Sequence, residues 1–227
     1  MKQQYQKERE ELVTAGNKLV EQGLVSRTWG NISVKLNDSE MLVTPSGKHY
    51  KDLTPKDMVL VNFRTDKYDK KGIKPSSEYK MHTGIYRDRK EVNAVIHTHQ
   101  MNASTCAAAR REVPAVLDDL AQIIGPSVRV ADYALPSTKK IVRATVKALR
   151  GRNAALMANH GAVCVGRDLD EAFVACQVLE KGCKAFIEAE FLGGAKHINK
   201  FEAWAMHQVY LKKYSKMAGN KKQDGGE

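Results

Sequence analysis

A run of apolar residues that ends in two histidines constrains this chain more than any other feature. Residues 92–96 are rich in β-branched side chains, which favour a strand, and His97-Thr98-His99 follows directly. Residues two positions apart on a strand point to the same face, so the imidazoles of His97 and His99 lie side by side. Paired imidazoles are a frequent part of metal sites. The sequence therefore predicts a strand that ends in a metal-binding pair.

Two further residues complete a candidate ligand set. Glu78 ends the segment Pro75-Ser76-Ser77-Glu78, and His160 lies between the apolar runs 154–158 and 162–165. Three imidazoles and one carboxylate suit Zn²⁺, and Mn²⁺ or Co²⁺ accept similar ligands. Each residue also has a structural explanation, because an acidic side chain in a first helical turn is stabilised by the helix dipole. The remaining histidines have no comparable neighbours: His49, His82, His197 and His207.

Three pairs of small or polar residues are candidates for binding an anion. Their backbone N–H groups are accessible because little side chain intervenes, and hydroxyls at a helix N-terminus favour negative charge. Such pairs also form ordinary turns and caps, so this pattern alone does not establish phosphate binding. The six candidates are Gly30, Asn31, Ser46, Gly47, Ser76 and Ser77.

Periodicity predicts helices that alternate with strands. Apolar residues at helical spacing indicate a helix over 4–22 and another from just after Ser77 to about 87. Further helices are predicted from a cap at Ser137 to near 151, from a capping box at Asp168 and Glu171, and over 198–216. Apolar and β-branched runs indicate strands over 31–36, 41–43, 58–63 and 92–98. Hairpin-like strand pairs mixed with helices predict an α/β protein with a central, largely antiparallel sheet in a three-layer α/β/α sandwich.

No change in composition marks a boundary between two domains of comparable size. We expect residues 1–217 to form a single domain and residues 218–227 to form a flexible C-terminal tail. The start of the sequence lacks the apolar core of a secretory signal, and no apolar stretch is long enough to cross a bilayer. These features predict a cytoplasmic protein with no membrane partner.

The charge of the chain is a weaker guide to its partners. The formal net charge is +11, from 37 basic and 26 acidic residues, which would attract nucleic acid, anionic lipid or a phosphorylated metabolite. No nucleic-acid motif or continuous basic helix face occurs, so a nucleic-acid partner is not expected. Much of the excess lies in two peripheral groups: Lys67, Lys70, Lys71 and Lys74, and Lys212, Lys213, Lys216, Lys221 and Lys222.

Five motifs, in this order, give the chain a recognisable likeness. They are Gly30-Asn31-Ile32-Ser33-Val34, Leu42-Val43-Thr44-Pro45-Ser46-Gly47, Pro75-Ser76-Ser77-Glu78, His97-Thr98-His99 and Asn159-His160-Gly161. In these segments, which span about residues 20–190, the chain resembles the class II aldolase/adducin-head family. The resemblance implies the same sandwich fold and a homotetramer whose active sites are completed by a neighbouring subunit. It also implies a catalytic divalent ion, Zn²⁺, held by Glu78, His97, His99 and His160, and loops that bind the phosphate of a small sugar.

The resemblance implies a lyase that reversibly cleaves a (deoxy)ketose 1-phosphate to dihydroxyacetone phosphate and an aldehyde. Bound Zn²⁺ would stabilise the enediolate, and Glu78 would act both as a ligand and as a general acid/base. Alternatives within the family are a sugar-phosphate 4-epimerase, a decarboxylase or dehydratase with the same metal site, and a noncatalytic scaffold. The scaffold has no chemical need for all four ligands.

The residues that would handle the aldehyde end depart from the aldolase pattern. Aldolases of the family place a tyrosine where this chain has Asp118, and the epimerase branch places an acid/base aspartate near this point. Glu78 favours the aldolases, because the epimerase branch generally has aspartate in that motif. Asp118 is therefore a candidate catalytic residue, with an alternative interpretation as a helix N-cap. Tyr214 is a second candidate, although Tyr210 lies nearby.

Overall fold

A mixed sheet forms the middle layer of the protein. The computed structural model describes residues 4–223, with side chains as far as residue 213. In chain order, the strands found there are β1 (Asn31–Lys35), β2 (Glu40–Val43), β3 (Val59–Asn62), β4 (Lys67–Tyr68), β5 (Ala94–Thr98), β6 (Val113–Pro114), β7 (Ser127–Ala131), β8 (Ala154–Met157) and β9 (Gly161–Gly166). Their order across the sheet is β4-β3-β2-β1-β5-β9-β8-β7-β6. Only β7 and β8 pair in parallel among these strands, so the prediction of a largely antiparallel sheet is confirmed.

Helices cover both faces of this sheet. The α-helices of the described residues are α1 (Gln6–Glu21), α2 (Tyr79–Asp88), α3 (Met101–Ala108), α4 (Lys139–Leu149), α5 (Leu169–Phe191) and α6 (Lys200–Gln223). One apolar core lies beneath α1, α3 and α5, and a second lies beneath α2 and α4. The predicted three-layer α/β/α sandwich is confirmed. In this part of the chain, every helix is too short or too polar to cross a bilayer.

Alternation along β5 explains how one strand supplies both cores. Ala94 and Ile96 belong to the core under α1, α3 and α5, whereas Val95 belongs to the core under α2 and α4. Because side chains alternate with a period of two, His97 points to the same face as Val95. The end of β5 therefore presents its first histidine toward the layer that contains α2.

The structure corrects two predicted ends of helices. Thr138, and not Ser137, is the N-cap of α4, and its hydroxyl accepts a hydrogen bond from the Ile141 amide. Ser137 has a positive φ of 62°, whereas the cap position has extended backbone, so Ser137 cannot take that role. At the other end of the chain, α6 continues to Gln223, past the predicted end at 216.

Residues 224–227 lie outside the described part of the chain, and the division into a domain over 1–217 and a tail over 218–227 stays a prediction. The periodicity analysis also missed α3. Its sequence of alanine and small polar residues, MNASTCAA, has no strong apolar face to reveal a helix.

The N-cap of α5 provides a test of the local forces in the fold. The Asp168 carboxylate accepts a hydrogen bond of 2.7 Å from the Glu171 amide, as the capping box predicts. Asp168→Ala removes this acceptor, so we expect the free energy of unfolding to fall by about 1 kcal/mol in denaturant titrations. Asp170→Ala is the matched control, because it removes a carboxylate from the same turn and keeps the cap. Equal destabilisation by both substitutions would contradict this assignment.

Candidate metal centre

The pairing of β5 with both of its neighbours places the first histidine. His97 lies opposite Asn31 of β1 and opposite Val163 of β9 in the antiparallel registers. The His97 side chain is fully buried, and its Nδ1 lies 2.8 Å from the carbonyl oxygen of Ala162. A carbonyl only accepts, so Nδ1 carries the hydrogen and donates it. In the neutral ring, Nε2 is left with a lone pair.

Three other side chains converge on that nitrogen. Nε2 of His99 lies 2.9 Å from Nε2 of His97, and Oε2 of Glu78 lies 3.1 Å from it. Oε1 of Glu78 is 3.3 Å from Nε2 of His160. One ligand atom from each of these four residues lies within 4.8 Å of every other. Ligand atoms around one tetrahedral zinc ion stand roughly 3.3–3.6 Å apart, since each bond is about 2.0–2.2 Å long.

The pKa values of His99, His160 and Glu78 favour forms of these side chains that can act as metal ligands. Burial, followed by the positive charges of His97 and His160, lowers the pKa of His99 to about 4. Burial and the charge of His97 also lower the pKa of His160. Burial tends to raise the pKa of Glu78, but hydrogen bonding and the histidine charges outweigh it and lower that pKa to about 2. The lowered pKa values of His99, His160 and Glu78 favour two neutral imidazoles and an ionised carboxylate, a combination that fits a divalent cation.

Each remaining ligand is positioned by its own local structure. Glu78 directly precedes α2, and its amide donates to the Ser76 hydroxyl at 3.3 Å. His160 lies in the turn between β8 and β9, after Asn159 with its positive φ of 56°. The next residue, Gly161, has no room for a side chain, because a Cβ there would lie 2.5 Å from the Thr98 carbonyl oxygen. This close approach brings His160 to the end of β5.

The small-residue loops lie next to this group. The Asn31 side chain donates to Oε2 of Glu78 at 3.4 Å, and the Ser76 amide donates to the Thr44 carbonyl at 3.0 Å. The Ser46 amide donates to the Lys74 carbonyl at 3.0 Å, so two of the loops run side by side. Their exposure differs: Asn31 and Ser76 are buried, Gly30 is half-buried, and Ser46, Gly47 and Ser77 are exposed. Their role in binding phosphate stays a prediction.

Of the two residues expected at the aldehyde end, Asp118 has a described side chain, and no contact among the described residues joins it to the metal centre. Asp118 is exposed. The N-cap of the following π-helical turn, Leu120–Ile124, is Asp119, whose carboxylate accepts from the Leu120 amide at 2.9 Å. The interpretation of Asp118 as that cap is therefore wrong. Tyr214 belongs to α6, but its side chain lies outside the described residues.

A histidine that the sequence analysis left without a role lies behind the centre. His82 is fully buried, and its Nε2 is 2.5 Å from Oδ1 of Asn31. Its Nδ1 is 2.6 Å from the hydroxyl of Ser33. A spacing of four residues from Glu78, at the start of a helix, puts both side chains on one face of that helix. This spacing is the signal that could have identified His82.

These features define a class of protein: a three-layer α/β fold with a candidate divalent-metal centre at the end of its central strands. The family model described as "Class II Aldolase and Adducin N-terminal domain" matches residues 10–187. The chain therefore belongs to the class II aldolase/adducin family, as the five motifs predict.

Individual relatives agree with this assignment. A 5-deoxy-D-ribulose 1-phosphate aldolase from Bacillus thuringiensis serovar kurstaki is 35% identical over 192 residues, which cover 84% of this chain and 89% of the relative. A 5-methylthioribulose-1-phosphate/5-deoxyribulose-1-phosphate aldolase from Rhodospirillum rubrum is 35% identical over 161 residues, 71% of this chain and 72% of the relative. A solved structure of an L-fuculose 1-phosphate aldolase superposes with a TM-score of 0.86 and 32% identity, covering 92% and 98% of the two chains.

Removal of one imidazole tests the metal centre. We expect His99→Ala to weaken Zn²⁺ binding by more than the roughly 10–100-fold that loss of an outer-shell partner causes, because a direct ligand is lost. The measurement is competition with a chromophoric chelator on metal-stripped protein. His197→Ala is the control, since His197 is exposed and lies outside the group. Unchanged zinc affinity in His99→Ala would show that the four side chains do not hold the ion together.

Buried neutral histidines also predict how stability depends on pH. Burial, then the charge of His97, lowers the pKa of His82 to about 3, and the pKa of His99 is about 4. In the unfolded chain both titrate near pH 6.5, so below that pH the unfolded state binds protons that the folded state does not. The free energy of unfolding of the metal-free protein should therefore fall as the pH drops from 6.5 toward 4. Denaturant titrations with chelator present measure it, and equal stability at pH 7 and pH 5 would refute it.

Proposed function

We propose that this protein is a class II aldolase that reversibly cleaves a ketose 1-phosphate to dihydroxyacetone phosphate and an aldehyde. The observation that carries the proposal is the group of Glu78, His97, His99 and His160, whose ligand atoms lie within 4.8 Å of one another in a member of an aldolase family. A fold alone would not identify a reaction, because one fold can serve many activities. The four candidate metal ligands supply the chemical reason to propose aldol cleavage.

The four residues are proposed to hold a divalent ion, and Zn²⁺ is the ion that best suits three imidazoles and a carboxylate. When bound, the ion would supply positive charge that stabilises the negative charge developing on the substrate oxygens as the carbon–carbon bond breaks. Mn²⁺ and Co²⁺ also fit this donor set. His97 is held for this role by its hydrogen bond to the Ala162 carbonyl, which directs Nε2 toward the other ligands.

Glu78 is proposed to move the proton at carbon. Its lowered pKa, about 2, keeps the carboxylate ionised at neutral pH, which is the form needed to remove a proton from dihydroxyacetone phosphate in the synthetic direction. In cleavage, the same group returns a proton to that carbon. The sugar hydroxyl that becomes the aldehyde loses one proton in the same reaction, so the overall reaction is balanced in protons. Asp118 and Tyr214 are our candidates for holding that second proton.

The phosphate is proposed to lie against the loops that contain Gly30, Asn31, Ser46, Gly47, Ser76 and Ser77. Gly47 supports this assignment, because it is exposed, has a positive φ of 71° and has open space where a side chain would be. Exposed backbone amides without a covering side chain are suited to an anion. Hydroxyls of Ser76 and Ser77 lie just before α2, at the positive end of its dipole.

The substrate is proposed to be a short deoxyketose 1-phosphate. Two relatives at 35% identity are named for 5-deoxyribulose 1-phosphate, and one of these also for 5-methylthioribulose 1-phosphate. The named relatives are aldolases, which favours cleavage over 4-epimerisation. The presence of all four ligands likewise favours catalysis over a scaffold.

We also propose a homotetramer with active sites at subunit interfaces. Large apolar side chains that the single chain leaves exposed support an interface. They include Phe191, Leu192, Phe201, Trp204 and Val209.

A substrate panel and one substitution test the proposal. Zinc-loaded protein is incubated with 5-deoxyribulose 1-phosphate, 5-methylthioribulose 1-phosphate, fuculose 1-phosphate and ribulose 5-phosphate, and the products are identified by mass and stereochemistry. We expect new dihydroxyacetone phosphate from at least one ketose 1-phosphate. Glu78→Gln should lower kcat on the order of 10²–10⁴-fold, because the proton-transfer group is lost.

The control for this substitution is Glu91→Gln, which changes an exposed carboxylate elsewhere in the chain. An unchanged substrate mass with an inverted carbon would replace the aldolase with an epimerase. Near-normal turnover by zinc-loaded Glu78→Gln would remove Glu78 from the mechanism.

A further inference from the structure

A continuous chain of hydrogen bonds runs from a buried tyrosine to the metal centre. Tyr86 lies 2.8 Å from the Ser33 hydroxyl, which lies 2.6 Å from Nδ1 of His82. Nε2 of His82 is 2.5 Å from Oδ1 of Asn31, and the Asn31 amide nitrogen is 3.4 Å from Oε2 of Glu78. Tyr86, Ser33, His82 and Asn31 are all buried. The chain therefore lies away from solvent and connects α2 to β1 and to the carboxylate.

The carboxylate at one end sets the direction of every bond in this chain. An ionised Glu78 only accepts, so the side of Asn31 that faces it must be the NH₂ group. Oδ1 of Asn31 then faces His82 and needs a donor, which only an N–H on Nε2 can supply. In a neutral imidazole this leaves Nδ1 as an acceptor, and the Ser33 hydroxyl donates to it. The Tyr86 hydroxyl donates in turn to Ser33, whose carbonyl oxygen it also approaches at 3.1 Å.

The opposite orientation of Asn31 is disfavoured on simple grounds. Rotation of its amide by half a turn would place Oδ1 against Oε2 of Glu78, with two acceptors facing each other. The oxygen and nitrogen ends of the amide have almost the same shape, so hydrogen bonding and not packing selects the orientation. His82 reinforces the selection made by Glu78, because an N–H on Nε2 pairs with Oδ1 of Asn31 only in this orientation.

We propose that His82 is a positioning residue that holds the Asn31 amide with its NH₂ group toward Glu78, and so orients the carboxylate as a metal ligand. This inference rests on the proposed function, because it assigns His82 a task in that same site. The Asn31 NH₂ group has two N–H bonds. One faces Glu78, and the other stays available to the phosphate that the neighbouring loops are proposed to bind, so one residue links both parts of the site.

Two amide substitutions separate positioning from packing, because each can replace a different nitrogen of the imidazole. Gln at position 82 can place an amide N–H near the position of imidazole Nε2 and can still donate to Asn31. Asn is shorter, so it can replace Nδ1 toward Ser33 but cannot reach Asn31. Each variant is stripped of metal, and its dissociation constant for Zn²⁺ is measured by chelator competition without substrate. The melting temperature of each variant and its kcat with the best substrate of the panel are measured alongside.

We expect His82→Asn to weaken Zn²⁺ binding roughly 10–100-fold and to lower kcat, and His82→Gln to retain near wild-type values for both. Ser33→Ala, which removes the partner of Nδ1 without shortening the side chain at 82, should weaken zinc binding in the same direction. The Ser33→Ala variant keeps the test valid if His82→Asn fails to fold.

Two results would overturn the inference. If both substitutions at 82 lower the melting temperature alike and leave zinc affinity equal, His82 is only a packing residue, while the proposed function stands. If wild-type protein binds no Zn²⁺, Mn²⁺ or Co²⁺, the proposed function and this inference fail together. Affinity that differs between Asn and Gln at equal melting temperature supports positioning, because a purely structural role would not produce that split.

Discussion

The rest of the structure depends on the pairing of β5 with an antiparallel neighbour on each side. The register places Asn31 and Val163 on either side of His97, so residues that are far apart in the sequence meet at one point. A slip of one residue in either register would turn the affected side chains to the opposite face of the sheet. The alternation of Ala94, Val95 and Ile96 between two apolar cores opposes such a slip, since it would bury the wrong face. Core packing and site assembly are therefore enforced by the same pattern.

At the candidate metal centre, electrostatic repulsion and desolvation oppose the hydrophobic packing that stabilises the sheet. The centre collects an ionised carboxylate and imidazole nitrogens in a largely buried position, and acceptors that face one another are costly when no donor lies between them. Among these acceptors, Oε2 of Glu78 receives a hydrogen bond from the Asn31 amide. A divalent ion would satisfy the rest, and binding to the folded state alone adds to stability. The apolar cores on both faces hold the arrangement until an ion is present.

Much of the fold and the ligand set could be predicted because their signals are local. Strand β5 with its H-x-H ending, the capping box of α5 and the turn that contains His160 each depend on a few neighbouring residues. The sequence analysis missed His82 because its role depends on contacts with Ser33 and Asn31. These residues are distant in sequence, and they meet His82 only where α2 lies next to β1. Asp118 was assigned from its position in a motif, and the structure shows that its neighbour Asp119 makes the cap. The prediction of Ser137 as a helix cap was wrong for a conformational reason, because its backbone is in the left-handed region.

The contact made by Gly161 affects when, during synthesis of the chain, the site can form. Its missing side chain lets β9 lie directly against the end of β5, and His160 arrives only with that contact. A nascent chain that has left the ribosome as far as His99 already contains three of the four donors, yet it lacks the strand that closes the set. The complete set of four ligands therefore forms only after the later part of the polypeptide has been made.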